Sequence, residues 1–478
     1  MKHHITYLFL FFLLGCGSSK NENTFQKKEQ SLVKTSVSII ENHEQFIELP
    51  YSESYSANSC EISNIAGVNV TTSCSCSSGV CTVGITPIGT GLADFEYSVT
   101  DGTNTETRSI DITVKAIVPF VSTWWLPGGF GADETVTLPL RSGFNYDFTV
   151  DWGDGTTTEV TSWDDVDKTH TYASTGTYTI TITGLLETLY FNNTSSDKDD
   201  IISISELGTV GWKSFENAFY GCTNLGSVAG GDTSEVTDMK WMFYAASNVS
   251  PDTSGWDTSH VKDMSNMFNN ASVATPDTTN WNTSQVTLME GMFRGANTAD
   301  PVTTNWDTSQ VTSMRNMFWD ASTANPVTTN WDTSQVTDMS NMFRNATNAN
   351  PDTENWDTSN VTDMRVMFYD ADSANPNTEN WDTSKVTSMR NMFAETSLAD
   401  PDMSGWDFSS LTDIELIFSN ASLSTSNYDS MLIQLDATAP AGLILDVGTT
   451  KFTSSSLAEA ARNNLTVSGW TINDGGGI

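Results

Sequence analysis

Residues Pro276–Asp300 read PDTTNWNTSQVTLMEGMFRGANTAD, and this stretch decides how the C-terminal half of the chain is understood. Its tryptophan belongs to a series, Trp256, Trp281, Trp306, Trp331, Trp356, Trp381 and Trp406, in which each member follows the last by 25 residues. Val236, Val261, Val286, Val311, Val336, Val361 and Val386 keep the same register, as do the Met-Phe pairs from Met242-Phe243 to Met392-Phe393. A fixed period of this size means one structural unit stacked repeatedly, each copy burying its apolar face against its neighbours. Such an architecture displays surface more readily than it builds a catalytic pocket.

Within the copy, Thr278, Trp281 and Thr283 are spaced like the inward positions of a leucine-rich-repeat strand. Val286, Met289, Met292-Phe293 and Ala296 then follow at steps of three or four, the spacing of one helix face. Thr287 is placed to cap that helix through its hydroxyl, and Pro301 ends the return. The expectation is an α/β leucine-rich-repeat-like solenoid over 187–425, with short strand, short helix and return in each copy. Trp, Met and Phe form its internal columns. Asn217-Ala218-Phe219-Tyr220-Gly221-Cys222 reads as a degenerate first coil, and Phe408, Leu411, Ile414 and Ile417-Phe418 as a bulkier last one. A C-terminal cap is expected over 426–478, with a strand at Leu443-Ile444-Leu445, a helix from Leu457 to Leu465 and a final strand near Trp470.

If Trp points inward, the residue after it points outward. That rank is Asp257, Asn282, Asp307, Asp332, Asp357, Asp382 and Asp407, the candidate ligand or cation face. Strands about 4.8 Å apart bring such carboxylates close enough to repel. Bound calcium, a basic partner, or hydrogen bonds from each Asp to its own turn would each relieve this. Asn282 in an Asp position suits the hydrogen-bonding role. No firm metal site and no other cofactor is expected. A threonine rank binding ice or another crystal face would require Thr258 and its equivalents to face outward, against the inward assignment.

Before the repeats the chain changes character. Lys2 precedes an apolar run, Ile5 to Leu14, that is too short to span a bilayer and reads as a secretory signal over 1–15. Residues 16–34 are polar and mixed in charge, a flexible tether. Short alternating runs with an Asp101-Gly102 turn between two of them predict β-structure over 35–116. Cys60, Cys74, Cys76 and Cys81 crowd into this exported stretch and read as two disulfides; of the three connectivities, a Cys74–Cys76 bridge is the least favourable. Cys222 is left over as a small buried residue. The segment 117–186 is again β-rich.

Four resemblances follow from these residues. Leu13-Leu14-Gly15-Cys16 resembles the bacterial lipobox, which implies diacylglycerol on Cys16; Gly17 in place of Asp implies the outer membrane where the host has one. Residues 35–116 resemble immunoglobulin-like or cadherin-like β-sandwiches. Trp152-Gly153-Asp154-Gly155 with His170-x-Tyr172 and Gly176-x-Tyr178 resembles the PKD-type β-sandwich over 117–186, with His170 as a structural strand residue. The repeats, with the lead-in sandwich and the Gly-Trp-Thr-Ile-Asn-Asp-Gly-Gly ending, resemble the BspA-like leucine-rich-repeat surface proteins, which implies a surface-exposed, lipid-anchored protein active in adhesion. Thr258 and its equivalents stand where relatives often carry an aliphatic residue, so the surface need not match theirs.

The 59 acidic against 21 basic residues, a formal charge of -38, argue against a nucleic-acid partner, which needs a positive surface. No Ser-His-Asp order, phosphate loop or Cys-His ligand set stands above the repeat. The expectation is therefore a non-enzymatic protein held to the bacterial outer membrane or cell surface by its lipid, displaying repeats to a protein or glycan partner. The alternatives are a structural envelope component without specific ligand, or a surface hydrolase with paired carboxylates near Asp197 to Ile204.

Overall fold

The structure, a computed structural model, describes residues 35–40, 45–51, 57–77, 80–127 and 134–478. The signal, the tether and Cys16 lie outside the described residues. The chain divides into two compact units, Met1–Val118 and Pro119–Ile478.

In the first unit a four-stranded sheet contains Thr35–Ile40, Thr105–Lys115, Gly91–Thr100 and Ser59–Ala66, in that order. A three-stranded sheet contains Gln45–Glu48, Val80–Pro87 and Val68–Ser77. Alternation along Gly91–Thr100 puts Ala93, Phe95, Tyr97 and Val99 into one core with Val83, Ile85, Ile110 and Ile112. The hairpin across Asp101-Gly102 forms as its sequence demands: Gly102 takes a positive φ, and the Asp101 carboxylate accepts the backbone N–H groups of Thr103 and Asn104.

The second unit overturns the expected fold class. The α/β leucine-rich-repeat-like solenoid, with a helix in each copy, is not what the chain forms. Among the described residues there are only two α-helices, α1 (Thr425–Thr438) and α2 (Leu457–Val467), both after the last repeat. The rest is strand, turn and isolated bridge, with two short 3-10 turns at Val166–Lys168 and Ser196–Asp199. The expected second sandwich over 117–186 is not closed off either. Its strands Thr157–Val160, Tyr146–Asp151, Gly176–Leu186 and Phe120–Leu126 continue through Ile201–Glu206 into Ser227–Val228 and Ser250–Pro251 as one seven-stranded sheet. One apolar core runs from Phe120 to Trp470.

Each 25-residue copy is built of turns. In the copy already quoted, Trp281, Val286, Met292, Ala296 and Ala299 each donate their N–H to the carbonyl three residues back. Gly291 and Gly295 hold φ values of 59° and 65°, the left-handed region. The equivalent pairs Asn266/Asn270, Asn316/Asp320 and Asn341/Asn345 do the same. A right-handed helix cannot pass through two left-handed residues four apart, so the segment around Met292-Phe293 is a series of tight turns. Successive turns of three to four residues reproduce the apolar spacing of a helix face, which is why the pattern misleads. Asn, Asp and Gly fill most of these positions because they tolerate the conformation best.

Copies join by parallel hydrogen bonds. Met264, Asn266, Phe268 and Asn270 donate to the carbonyls of Leu288, Glu290, Met292 and Arg294, and isolated parallel bridges link Ser214, Asp238, Asp263, Leu288, Ser313, Asp338, Asp363, Ser388 and Asp413 in turn. Two buried threonine ranks extend this ladder. Thr258, Thr283, Thr308, Thr333, Thr358 and Thr383 each donate Oγ1 to the carbonyl 24 residues on, as do Thr253, Thr278, Thr303, Thr328, Thr353 and Thr378. Their hydroxyls thus satisfy carbonyls that a regular strand would pair, at about 1 kcal/mol each. This burial removes the Thr258 rank from any outward crystal-binding face.

Between the turns lies an aromatic column. Trp281 to Trp406 stack with ring centroids 6.1–6.4 Å apart and planes within 8°. Phe243 to Phe418 stack at 5.2–5.7 Å. Truncating one central tryptophan would cost about 3–5 kcal/mol. At the far end α1, N-capped by Ser424, supplies polar partners that a further copy would have given: Gln434 donates to the Ser404 carbonyl, and Thr438 Oγ1 accepts the Phe408 N–H.

Candidate functional site

The seven residues of the Trp-Asp rank sit where their sequence places them, on the surface beside the buried tryptophans. Each spends one side-chain oxygen on its own turn. Asp257, Asn282, Asp307, Asp332, Asp357, Asp382 and Asp407 accept the backbone N–H two residues on, at 2.8–3.1 Å. Hydrogen bonds from Ser334, hydroxyl first and backbone N–H second, hold the Asp332 carboxyl below the usual range, and Ser384 does the same for Asp382. Asn282 makes the same bond without a charge, so turn closure accounts for the residue types in this rank.

Among the described residues no three carboxylates converge as metal ligands. The group whose ligand atoms do lie close together is Cys60, Cys76 and Cys81. These sulfurs are committed to disulfides, Cys60–Cys74 and Cys76–Cys81. The second bridge joins residues directly opposite each other on adjacent antiparallel strands. Cys222 is free and buried, and burial pushes its thiol well up.

A different acidic rank carries the like-charge contact that the sequence pattern assigned to the Trp-Asp rank. Asp238, Asp263, Asp338, Asp363 and Asp413 lie on the parallel bridges, one residue before the inward Met or Ile. Burial first, and the Asp263 and Glu216 charges after it, push the Asp238 carboxyl up to about 6 against the opposing hydrogen bond from Lys240. Asp363 is raised by burial, with Asp338 adding to it. Basic residues answer part of this charge: Arg365 pairs with Asp363 of its own turn at 3.1 Å, and Arg390 with Asp413 and Glu415 of the next copy. The signal was available as Asp-Met recurring at the repeat period.

The other residue with potential chemistry is His170. Its Nε2 lies 2.8 Å from Asp154, and its ring stacks on Trp152 at 5.0 Å and meets Tyr172 edge-on. Thr156 first, then His170, hold the Asp154 carboxyl down to about 2. The Tyr172 hydroxyl donates to the Trp152 carbonyl, closing a packed cluster around the Trp-Gly-Asp-Gly turn. Asp197, in the stretch where a hydrolytic carboxylate pair was sought, is buried and accepts the Thr137 N–H and the Ser196 hydroxyl, so it ties the 3-10 turn Ser196–Asp199 to the neighbouring strand.

The class defined by this geometry is a β-rich repeat protein with a constant packed interior and variable outward ranks. The repeats match a family model twice, over residues 213–329 and 322–431, described as "Mycoplasma protein of unknown function, DUF285". The two matches fall on the 25-residue copies and together cover somewhat under half of the chain. No curated protein and no solved structure matches the chain.

Proposed function

We propose that this is a lipid-anchored, non-catalytic bacterial cell-surface protein of BspA-like kind, whose stacked copies present their outward ranks to a protein or glycan partner. One observation carries the reading. From copy to copy the interior positions repeat Trp, Thr, Val, Met and Phe, while the exposed rank after Pro reads Asp252, Asp277, Val302, Val327, Asp352 and Asn377. A scaffold held constant inside and varied outside is what partner recognition requires. The lipobox-like Leu-Leu-Gly-Cys16 supplies the anchor, and the two disulfides suit an oxidising, exported setting.

The test is expression in a bacterium fed labelled palmitate, with intact cells probed by protease and by antibody to residues 213–431. Label in the wild type, its loss in Cys16→Ser, and clipping of the repeats on intact cells support the reading. An unlabelled wild type, or repeats protected until cells are lysed, would overturn it.

A further inference from the structure

The two disulfides of the first unit lie side by side. Cys60 stands on Ser59–Ala66 of the four-stranded sheet, Cys74 and Cys76 on Val68–Ser77 and Cys81 on Val80–Pro87 of the three-stranded sheet. The Cys60–Cys74 bridge therefore ties one sheet to the other, while Cys76–Cys81 closes a hairpin within one of them. Side chains alternate along Val68–Ser77, so Cys74 and Cys76 both turn toward the core of this unit and Ser75 turns to solvent. That alternation brings the bridges together: the sulfurs of Cys60, Cys76 and Cys81 all lie within 4.8 Å of one another.

Access to the two bridges differs. Cys60 and Cys74 are half-buried and line a surface cavity of about 260 Å³, walled also by Ile62, Ile65 and Val70. Cys81 is fully buried, and its partner Cys76 is half-buried. A thiol from solution thus meets the Cys60–Cys74 bridge in the cavity, and Cys60 in turn faces the hairpin bridge. Disulfides exchange by attack of a thiolate on a bridged sulfur, so a Cys60 thiolate released here has its next target beside it.

We propose that the two bridges form one exchange unit, in which Cys60, freed when a partner dithiol opens Cys60–Cys74, passes the reduction on to Cys76–Cys81. The steps balance. One thiolate of the dithiol attacks Cys74 Sγ, forms a mixed disulfide with it and expels the Cys60 thiolate. Cys60 Sγ then attacks Cys81 Sγ, forms a Cys60–Cys81 bridge and expels Cys76. The second thiolate of the dithiol attacks its bridged twin, leaves as the oxidised dithiol and releases Cys74. Two electrons and two protons have passed from the dithiol to Cys74 and Cys76, and one bridge of the two remains. Cys81 is a better target than Cys76, because the departing negative charge then falls on a half-exposed sulfur and not on a fully buried one.

The exchange preserves the link between the sheets. Cys60 is the one cysteine of the four among the described residues that stands on the four-stranded sheet, so every bridge it makes crosses to the other. Reduction without exchange would leave the hairpin bridge alone, which spans 5 residues against 14 for Cys60–Cys74 and constrains the unfolded chain less. The proposal concerns the first unit and stands apart from the display reading of the repeats.

The test uses the full chain carrying Cys16→Ser, so that no lipid is attached. One equivalent of dithiothreitol is added, free thiols are blocked with N-ethylmaleimide at intervals, and the bridges are mapped by mass spectrometry. Cys222, free and buried, stays unlabelled in the folded chain, so the labels count opened bridges. In about half or more of the molecules with two labels, these should lie on Cys74 and Cys76 with Cys60 joined to Cys81. A Cys60–Cys76 bridge with Cys81 labelled would equally show transfer through Cys60. In Cys60→Ser/Cys74→Ser the hairpin bridge should open about tenfold more slowly than in the parent, since its internal nucleophile is gone; the parent's bridge map stands by itself if that variant misfolds. Labels found only on Cys60 and Cys74 with Cys76–Cys81 intact, or only on Cys76 and Cys81 with Cys60–Cys74 intact, would overturn the proposal. So would bridges that open only in denaturant, or a hairpin bridge that opens at the parent's rate in the folded double variant.

Discussion

Replacing Asp238 by asparagine should stabilise this protein at neutral pH. Asp238 sits in the first bridged copy, where burial and the charges of Asp263 and Glu216 push its carboxyl from 3.8 to about 6. The folded state therefore holds the proton more tightly than the unfolded chain does. Stability is undiminished below the unfolded value near 3.8 and falls as pH rises through 6, because ionisation is easier once the chain unfolds. Two pH units at about 1.4 kcal/mol each bound the effect near 3 kcal/mol, and partial solvent access reduces it to about 1–2 kcal/mol. Asparagine keeps the side-chain oxygen that accepts the Lys240 N–H at 2.8 Å and removes the charge. Urea unfolding of both forms from pH 4 to 7.5 reads the difference directly. The curves should nearly coincide at pH 4 and separate by that amount at pH 7.5. A difference independent of pH, or a variant less stable at pH 7.5, would refute the reasoning.

Two further outcomes follow from the turn chemistry. Asp332→Asn should leave stability within about 0.5 kcal/mol, while Asp332→Ala should cost about 1 kcal/mol through loss of the Ser334 N–H bond; an asparagine variant as damaging as alanine, or a rise in unfolding temperature with millimolar calcium that Asp332→Asn abolishes, would show that the charge matters. Val366 holds a φ of 59°, a conformation costly for a β-branched residue, so Val366→Asn should raise stability by about 1 kcal/mol in thermal unfolding, and a destabilised variant would contradict the left-handed assignment.

Much of the repeat was legible in the chain. The 25-residue period located the copies, and Thr278, Trp281 and Thr283 read as inward are all buried. The crowding of Cys60, Cys74, Cys76 and Cys81 announced two bridges, although only the structure chooses the pairing, because connectivity depends on strand register. The helix was misread because apolar spacing of three and four is common to helices and to chained turns. The decisive letters were Gly291 and Gly295, with Asn266, Asn270, Asn341 and Asn345 at the same positions; helix-interior glycine at such regularity signals left-handed backbone. The ladder of alternating guanidinium and ring, Arg294, Trp319, Arg344 and Tyr369, was harder to see. Its members are 25 residues apart and differ in type, so no local pattern joins them until the copies are stacked in register.

Far-UV circular dichroism of the purified chain tests the central structural claim, that the copies are chained turns joined by parallel hydrogen bonds. Among the described residues the helical signal comes from α1 and α2, with 14 and 11 residues, within a spectrum dominated by strand and turn. A helical signal several times that size, as one helix in every 25-residue copy would produce, would contradict it.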